Sequence, residues 1–294
     1  MGCCSGLSNF SLFPIPSYEY GKQAEISIER QKILFIPKTL LNGEIDYIPC
    51  FFSNIIQIGY RSNFLILFHG NAEDIFLVSN FATAFELYIK MNVVVVEYPG
   101  YSIYKMSKNN EGNIEEIILN DSLIVYDKIK EIFGINDENI FIFGRSIGSA
   151  PASYLASKRN PGGLFLVSAF TSIKEVVNNH SFNLGGIFIK SSFETIKYIN
   201  NVRCPVLLIH GMKDNLIPSE HSRSLYNQIK GGIKECILRD DMTHNKYKLY
   251  EDIIIPISSF LEKHNLVKSK LIIEFNLKDI KEFKVPFKFN DYIK

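Results

Sequence analysis

The feature that most constrains the fold is a series of short, uninterrupted apolar runs separated by helix-length segments. The runs are FLILFHG (64–70), NVVVVEYPGY (92–101), NIFIFG (139–144), GLFLVSAF (163–170) and CPVLLIHG (204–211). A strand with one face in water alternates polar and apolar residues, because successive side chains point to opposite sides. These runs do not alternate, so both faces of each strand are expected to be covered. Parallel strands joined by crossover helices meet that requirement. Helical spacing recurs in residues 73–90, 113–134, 147–158, 218–231 and 247–264. Gly134 supplies a C-terminal stop for the second of these. Pro151 falls near the first turn of the third, where a missing N–H costs little. The expected fold class is α/β, with a mostly parallel central sheet and helices on both faces.

Two further strands are expected early, in EISIERQKILFIP (25–37) and EIDYIPCFF (44–52), with KTLLNG as the turn between them. Residues 171–201 interrupt the alternation and suggest a small cap over the carboxyl edge of the sheet. Three regions follow: a lead-in over 1–20, a main domain over 21–265, and a carboxyl-terminal extension over 266–294 with no functional reading. Of the 294 residues 46% are hydrophobic, enough for a large core. A net charge of +1 with interspersed signs argues against a nucleic-acid partner. No stretch of about 18 uncharged apolar residues suggests a membrane-spanning helix. Cys50, Cys204 and Cys236 stand singly in apolar segments and read as buried thiols, and no cysteine or histidine spacing suggests a metal site.

One junction carries chemistry. In NIFIFGRSIGSAPASYLAS (139–157), a serine lies between two glycines where an apolar strand gives way to a helix. Strand, Gly-x-Ser-x-Gly, helix is the setting of a nucleophile held at a sharp turn. The helix amino terminus beside Ser146 favours negative charge on a substrate oxygen, and the N–H of Ile147 is the expected first oxyanion donor. A nucleophilic serine needs a base and a group to orient it. In this arrangement they follow in the order Ser, Asp or Glu, His, each after a later strand. Asp214 in CPVLLIHGMKDNLIP and His244 in ILRDDMTHNKY fit that order. The second oxyanion donor is expected from the loop after FLILFHG, at the N–H of Asn71, with Ala72 as the lesser candidate. Competitors are Asp240 and Asp241, which would have to fold back from a short loop, and several histidines. His69 reads as a loop brace, His210 as structural, and His221 as sitting on an exposed helix start. His180 and His264 lack a strand-end setting.

These segments resemble the α/β-hydrolase superfamily. The closer resemblance is to the alpha/beta hydrolase domain-containing 17 family, serine hydrolases that remove palmitate from proteins. It rests on LFHGNAED, VVVVEYPGY, IFIFGRSIGSAPASYLAS, CPVLLIHGMKDNLIPSEHS and THNKYKLY, in that order from about Phe64 to Tyr250, with LFPIPSY (12–18) resembling the family's lead-in. Glu97, Pro99 and Ser102 stand where the family usually has Asp, Ser and Gly. Arg145 replaces a usual Gln, which would place it or the loop beyond Tyr101 near an acyl pocket. The resemblance implies a serine thioesterase with Ser146, Asp214 and His244 as its triad and no metal or cofactor.

The amino terminus, MGCCSG, offers Gly2 for myristoylation and Cys3 and Cys4 for palmitoylation, although Gly6 stands where the pattern wants Ser or Thr. One myristoyl chain binds membranes marginally, at about 10⁴ per molar, so a second acyl chain is what stable anchoring requires. The expected partners are S-acylated membrane proteins as substrates and a membrane surface on the cytosolic side. Two alternatives stay open from the residues alone. One is a lipid esterase acting on monoacylglycerols or lysophospholipids. The other is a non-catalytic membrane adaptor that retains the fold.

Overall fold

The computed structural model describes residues 32–53, 60–61, 63–105, 113–180, 193–267 and 272–273. Eight strands form one sheet: β1 (Ile33–Thr39), β2 (Ile45–Ser53), β4 (Phe64–Phe68), β5 (Asn92–Val96), β6 (Ile140–Arg145), β7 (Gly163–Val167), β8 (Val206–Gly211) and β9 (Lys234–Arg239). Their order across the sheet is β1-β2-β5-β4-β6-β7-β8-β9. β1 and β2 form an antiparallel hairpin and β2 pairs antiparallel with β5; every later pairing is parallel. The remaining strands, β3 (Tyr60–Arg61) and β10 (Ile272–Ile273), make a separate two-residue ladder. β10 is the described part of the carboxyl-terminal extension beyond Val267.

The helices are α1 (Ser79–Ala84), α2 (Ile114–Phe133), α3 (Ser149–Lys158), α4 (Ile173–His180), α5 (Thr195–Ile199), α6 (Glu220–Gln228) and α7 (Ile255–Lys263). They cover both faces of the sheet, and alternate residues of each strand serve different cores. Phe64, Ile66 and Phe68 pack with residues of α2, α3 and α6. Leu65 and Leu67 belong to the second core, together with Phe81, Phe85 and Ile257 and Phe260 of α7. This two-sided burial explains why the strand sequences lack a polar period. α2 starts at Asn113, whose side chain accepts the Glu115 N–H, and ends at Gly134 with φ +60°. Both ends are local signals.

The segment 73–90 departs from a single helix. Asp74 Oδ1 accepts the N–H groups of Phe76 (2.8 Å) and Leu77 (2.9 Å), which stabilises a turn and delays α1 to Ser79. Beyond α1 the chain widens into a π turn over Phe85–Ile89, and a second π turn, Leu249–Ile254, leads into α7. α4 and α5 lie within residues 171–201, the segment expected to form a cap; residues 181–192 between them lie outside the described residues. So do Gly2, Cys3 and Cys4 with the rest of the lead-in, and so does most of 266–294. Cys50 and Cys204 are buried free thiols, whereas Cys236, on the edge strand β9, is half-buried. Among the described residues no helix is long and apolar enough to cross a membrane.

The topology fixes where a site can form. From β4 the chain moves to β5 on one side and then to β6 on the other, so the strand order reverses between β4 and β6. Ligands of open α/β sheets bind beyond the carboxyl ends of the strands at such a reversal. Phe68, the last residue of β4, pairs with Gly144, two residues before Ser146.

Candidate active site

Ser146 follows β6 directly and opens a 3₁₀ turn, Ser146–Gly148, that runs into α3. Its φ is +52°, a left-handed conformation that a residue with a Cβ adopts only under constraint, at a cost of about 1–3 kcal/mol. The constraint is visible. A Cβ on Gly144 would lie 2.4 Å from the Gly148 carbonyl oxygen, and one on Gly148 would lie 2.2 Å from the Phe68 carbonyl oxygen. Strand, turn and the end of β4 therefore touch through backbone. Ser149 Oγ donates to the Ser146 carbonyl at 2.6 Å and ties the turn back on itself. The N–H of Ile147 lies in the first turn, where N–H groups have no intrahelical partner.

His244 lies on the loop after β9, with its Nε2 3.1 Å from Ser146 Oγ and its Nδ1 2.8 Å from Asp214 Oδ2. Asp214 lies on the loop after β8, and its side chain is fully buried. Its other oxygen, Oδ1, accepts the N–H groups of Leu216 (3.0 Å) and Ile217 (2.8 Å). Burial opposes ionisation of this carboxyl. Hydrogen bonding from His210 and His244 and the Ile217 N–H outweigh it, and the pKa falls well below the ordinary aspartate value. Asp214 is thus held as an anion facing Nδ1, which fixes that nitrogen as the N–H donor and leaves Nε2 as the acceptor facing Ser146. That is the tautomer a general base requires.

The loop after β4 brings Asn71 toward the same turn, since Gly148 contacts the Phe68 and His69 carbonyls that lead into it. Tyr101 donates its hydroxyl to Asn71 Oδ1 at 2.9 Å. The Tyr101 loop is held in turn by a buried cluster in which the Tyr104 hydroxyl donates to Asp121 (2.6 Å) and Lys38 bonds both groups, at 2.9 Å to Asp121. Such an arrangement suits acyl transfer: a serine hydroxyl at one imidazole nitrogen and a carboxylate at the other. Among the described residues no group of three or more His, Cys, Asp or Glu is placed to hold a metal ion.

The family profile described as Phospholipase/Carboxylesterase, of the α/β hydrolases, matches residues 61–265. The chain belongs to this family. Alpha/beta hydrolase domain-containing protein aho-3 of Caenorhabditis elegans is 28% identical over 203 residues, covering 69% of this chain and 58% of that protein. Alpha/beta hydrolase domain-containing protein 17C of Mus musculus is 26% identical over 237 residues, covering 77% of this chain and 71% of that one. Among solved structures, the Pyrococcus furiosus esterase Pf2001 superposes with a TM-score of 0.61 at 15% identity, covering 85% of this chain and 97% of that chain. The Paleococcus ferrophilus monoacylglycerol lipase gives 0.52 at 18% identity, over 74% and 99%. At such identities the structural likeness speaks for the fold.

Four of the rival histidines and one of the rival acids of this α/β hydrolase have other partners; the His180 side chain lies outside the described residues. His69 is buried with its Nε2 3.1 Å from Glu97 Oε1 and its Nδ1 2.9 Å from the Gly70 carbonyl, a brace beneath the Asn71 loop. Burial works against the charged imidazole, but the Glu97 hydrogen bond and charge win and raise its pKa. His210 pairs with Ser222 (2.7 Å) and the Ile217 carbonyl (2.8 Å) and also lies 3.5 Å from Asp214. His264 bonds Glu235 at 2.6 Å. His221 opens α6 as expected but is buried rather than exposed, because the helix start packs on the loop after β7, where Nδ1 accepts the Thr171 N–H at 3.3 Å. Asp241 pairs with Lys213 at the surface.

Two features escape sequence reasoning. Ser102, where the resembling family has glycine, stands at φ +45°, so the turn keeps a glycine-like backbone without glycine. Arg145 is buried, with its guanidinium bound to Glu73 and to the carbonyl of His244. Only the unusual residue type beside Ser146 hinted at that.

Proposed function

We propose that this α/β hydrolase is a serine thioesterase that removes palmitate from S-acylated proteins at the cytosolic face of a membrane. The observation that carries the hydrolytic part is the unbroken hydrogen-bonded series Ser146 Oγ, His244, Asp214 at the point where the strand order reverses. In the first half-reaction Oγ attacks the thioester carbonyl while its proton passes to His244 Nε2. The carbonyl electrons move onto oxygen, and the N–H groups of Ile147 and Asn71 stabilise the anion. Collapse breaks the carbon–sulfur bond, and the cysteine sulfur takes the proton from His244 as it leaves. In the second half, water gives its proton to His244, attacks the acyl-serine, and releases palmitic acid as Ser146 recovers its hydrogen. Asp214 remains anionic throughout and stabilises the transient imidazolium. The chemistry asks for no metal or cofactor.

The substrate class draws support from the likeness to the domain-containing 17 relatives and from MGCCSG. Acyl chains on Gly2 and on Cys3 or Cys4 would place enzyme and lipidated substrate on one surface, raising their effective concentration. A second reading, hydrolysis of lipid oxygen esters, is favoured by the Phospholipase/Carboxylesterase description of the family. The two differ in the leaving group alone. Purified protein is offered a palmitoylated cysteine peptide and a monoacylglycerol in parallel, with Ser146→Ala as control. Preferential cleavage of the peptide, lost in the variant, supports the thioesterase reading. Preferential cleavage of the glyceride replaces it with the second. Activity that survives in Ser146→Ala removes both.

A further inference from the structure

Three loops must hold their mutual spacing for the proposed chemistry: the Ser146 turn, the Gly70–Asn71 loop after β4, and the His244 loop after β9. They come from strands far apart in sequence, and all three meet at one side chain. Arg145 Nη1 donates to Glu73 Oε1 at 2.6 Å, and the other Glu73 oxygen accepts the Gly70 N–H at 2.7 Å. Arg145 Nη2 donates to the His244 backbone carbonyl at 2.8 Å and lies 3.4 Å from Asn245 Oδ1. The guanidinium also lies over the Tyr247 ring, 5.2 Å from its centroid. Its side chain is only 7% exposed. A Cβ on Gly70 would come within 2.8 Å of Arg145 Nη1 and 2.9 Å of Glu73 Oε2, so the ion pair lies directly against the backbone of this loop.

We infer that Arg145 is a positioning residue that sets the spacing of Ser146, His244 and the Asn71 loop by joining the three loops through one guanidinium. This inference rests on the hydrolase reading for its effect on rate, but the geometry stands without it. A planar fork directs two nitrogens to two acceptors at fixed angles, whereas an ammonium is a single point on a flexible stem. The backbone carbonyl of His244 is itself one acceptor, so loss of Nη2 frees the residue that must meet Ser146. Glu73 carries the constraint onward to Gly70, next to the expected oxyanion donor. Simple stabilisation is a weak account of the same contacts, because a buried ion pair often adds little net stability over well-packed apolar residues.

The test compares wild type with Arg145→Lys, Arg145→Gln, Glu73→Gln and the double variant Arg145→Gln/Glu73→Gln, with Asp241→Asn as a surface control. Three quantities are read: melting temperature, kcat and KM per folded molecule on a soluble p-nitrophenyl ester, and the downfield proton signal of the imidazole N–H that His244 shares with Asp214. Arg145→Gln should lower kcat roughly 10- to 100-fold with KM changed less than about threefold, the scale of a misplaced catalytic group. The double variant should be no worse than Arg145→Gln, and Arg145→Lys should recover part of the loss. The downfield signal should shift or broaden in Arg145→Gln and stay fixed in Asp241→Asn. A kcat within about twofold of wild type with an unmoved signal, whatever the melting temperature does, overturns the inference. If wild type neither hydrolyses the ester nor reacts with a fluorophosphonate, yet the signal still responds to Arg145→Gln, positioning stands and the hydrolase reading falls.

Discussion

Gly148→Ala tests how closely the nucleophile turn is packed. Its φ is −63°, a helical value that alanine adopts freely, so conformational strain at this position is not the issue. The added Cβ would lie 2.2 Å from the Phe68 carbonyl oxygen and 2.7 Å from that of His69. The first distance falls 1.2 Å short of the 3.4 Å at which ordinary contact begins. Neither side yields easily: Phe68 ends a strand paired on both sides, with Val96 and with Gly144. The turn must therefore retreat from the β4 loop by about an ångström, as overpacked sites do at roughly 1–3 kcal/mol. For a domain of this size that is about 2–12 °C in Tm. Moved by the same amount, Ser146 Oγ would stand about 4 Å from His244 Nε2 instead of 3.1 Å, beyond hydrogen bonding. Turnover of a soluble ester should fall about 10²-fold. Gly232→Ala, where a Cβ would meet nothing within 4 Å, is the control and should match wild type. A Gly148→Ala variant with kcat/KM within about threefold of wild type would refute this packing argument.

Asp214→Asn should reduce kcat about 10⁴-fold by losing the anion that selects the histidine tautomer, while Asp241→Asn, whose side chain is 92% exposed, should change it less than twofold; the same ester assay decides, and reversed effects would reassign the triad. Because the folded Asp214 carboxyl sits below its ordinary pKa of about 3.9, its ionised form stabilises the fold above that pH, and the contribution fades as pH drops toward the depressed folded value. Urea midpoints of wild type and Asp214→Asn should therefore keep a constant gap from pH 7 to about 4 and converge below. A gap that widens on acidification would mean that burial governs this carboxyl. Gly2→Ala, or Cys3 and Cys4 together changed to Ser, should move the protein from the membrane to the soluble fraction with turnover of a soluble thioester unchanged. Retention on the membrane by the double cysteine variant would place the anchor elsewhere.

The sheet was legible because strands buried on both faces write themselves as unbroken apolar runs. The Ser146 turn was legible because close backbone approach demands glycine at 144 and 148. Asp214 and His244 followed from order along the chain and from the strand ends preceding them. Other features depend on contacts that no local pattern encodes. The reach of Arg145 spans 72 residues to Glu73 and 99 to His244. The burial of His221 depends on Thr171, 50 residues earlier. The late start of α1 was readable in principle, since Asp74 precedes the amides it caps, but the apolar period of 73–90 masked it. Nothing in the apolar pattern distinguishes an α from a π turn at Phe85–Ile89 or Leu249–Ile254.

The central claim is that Ser146 carries the acyl group between substrate and water. Mass spectrometry of protein quenched in acid within milliseconds of mixing with a palmitoyl thioester tests it directly. Palmitoyl mass is expected on the peptide containing Ser146, accumulating further in a variant with slowed deacylation and absent from Ser146→Ala. Hydrolysis without any acylated peptide, or acylation that persists at another residue in Ser146→Ala while turnover continues, would contradict it.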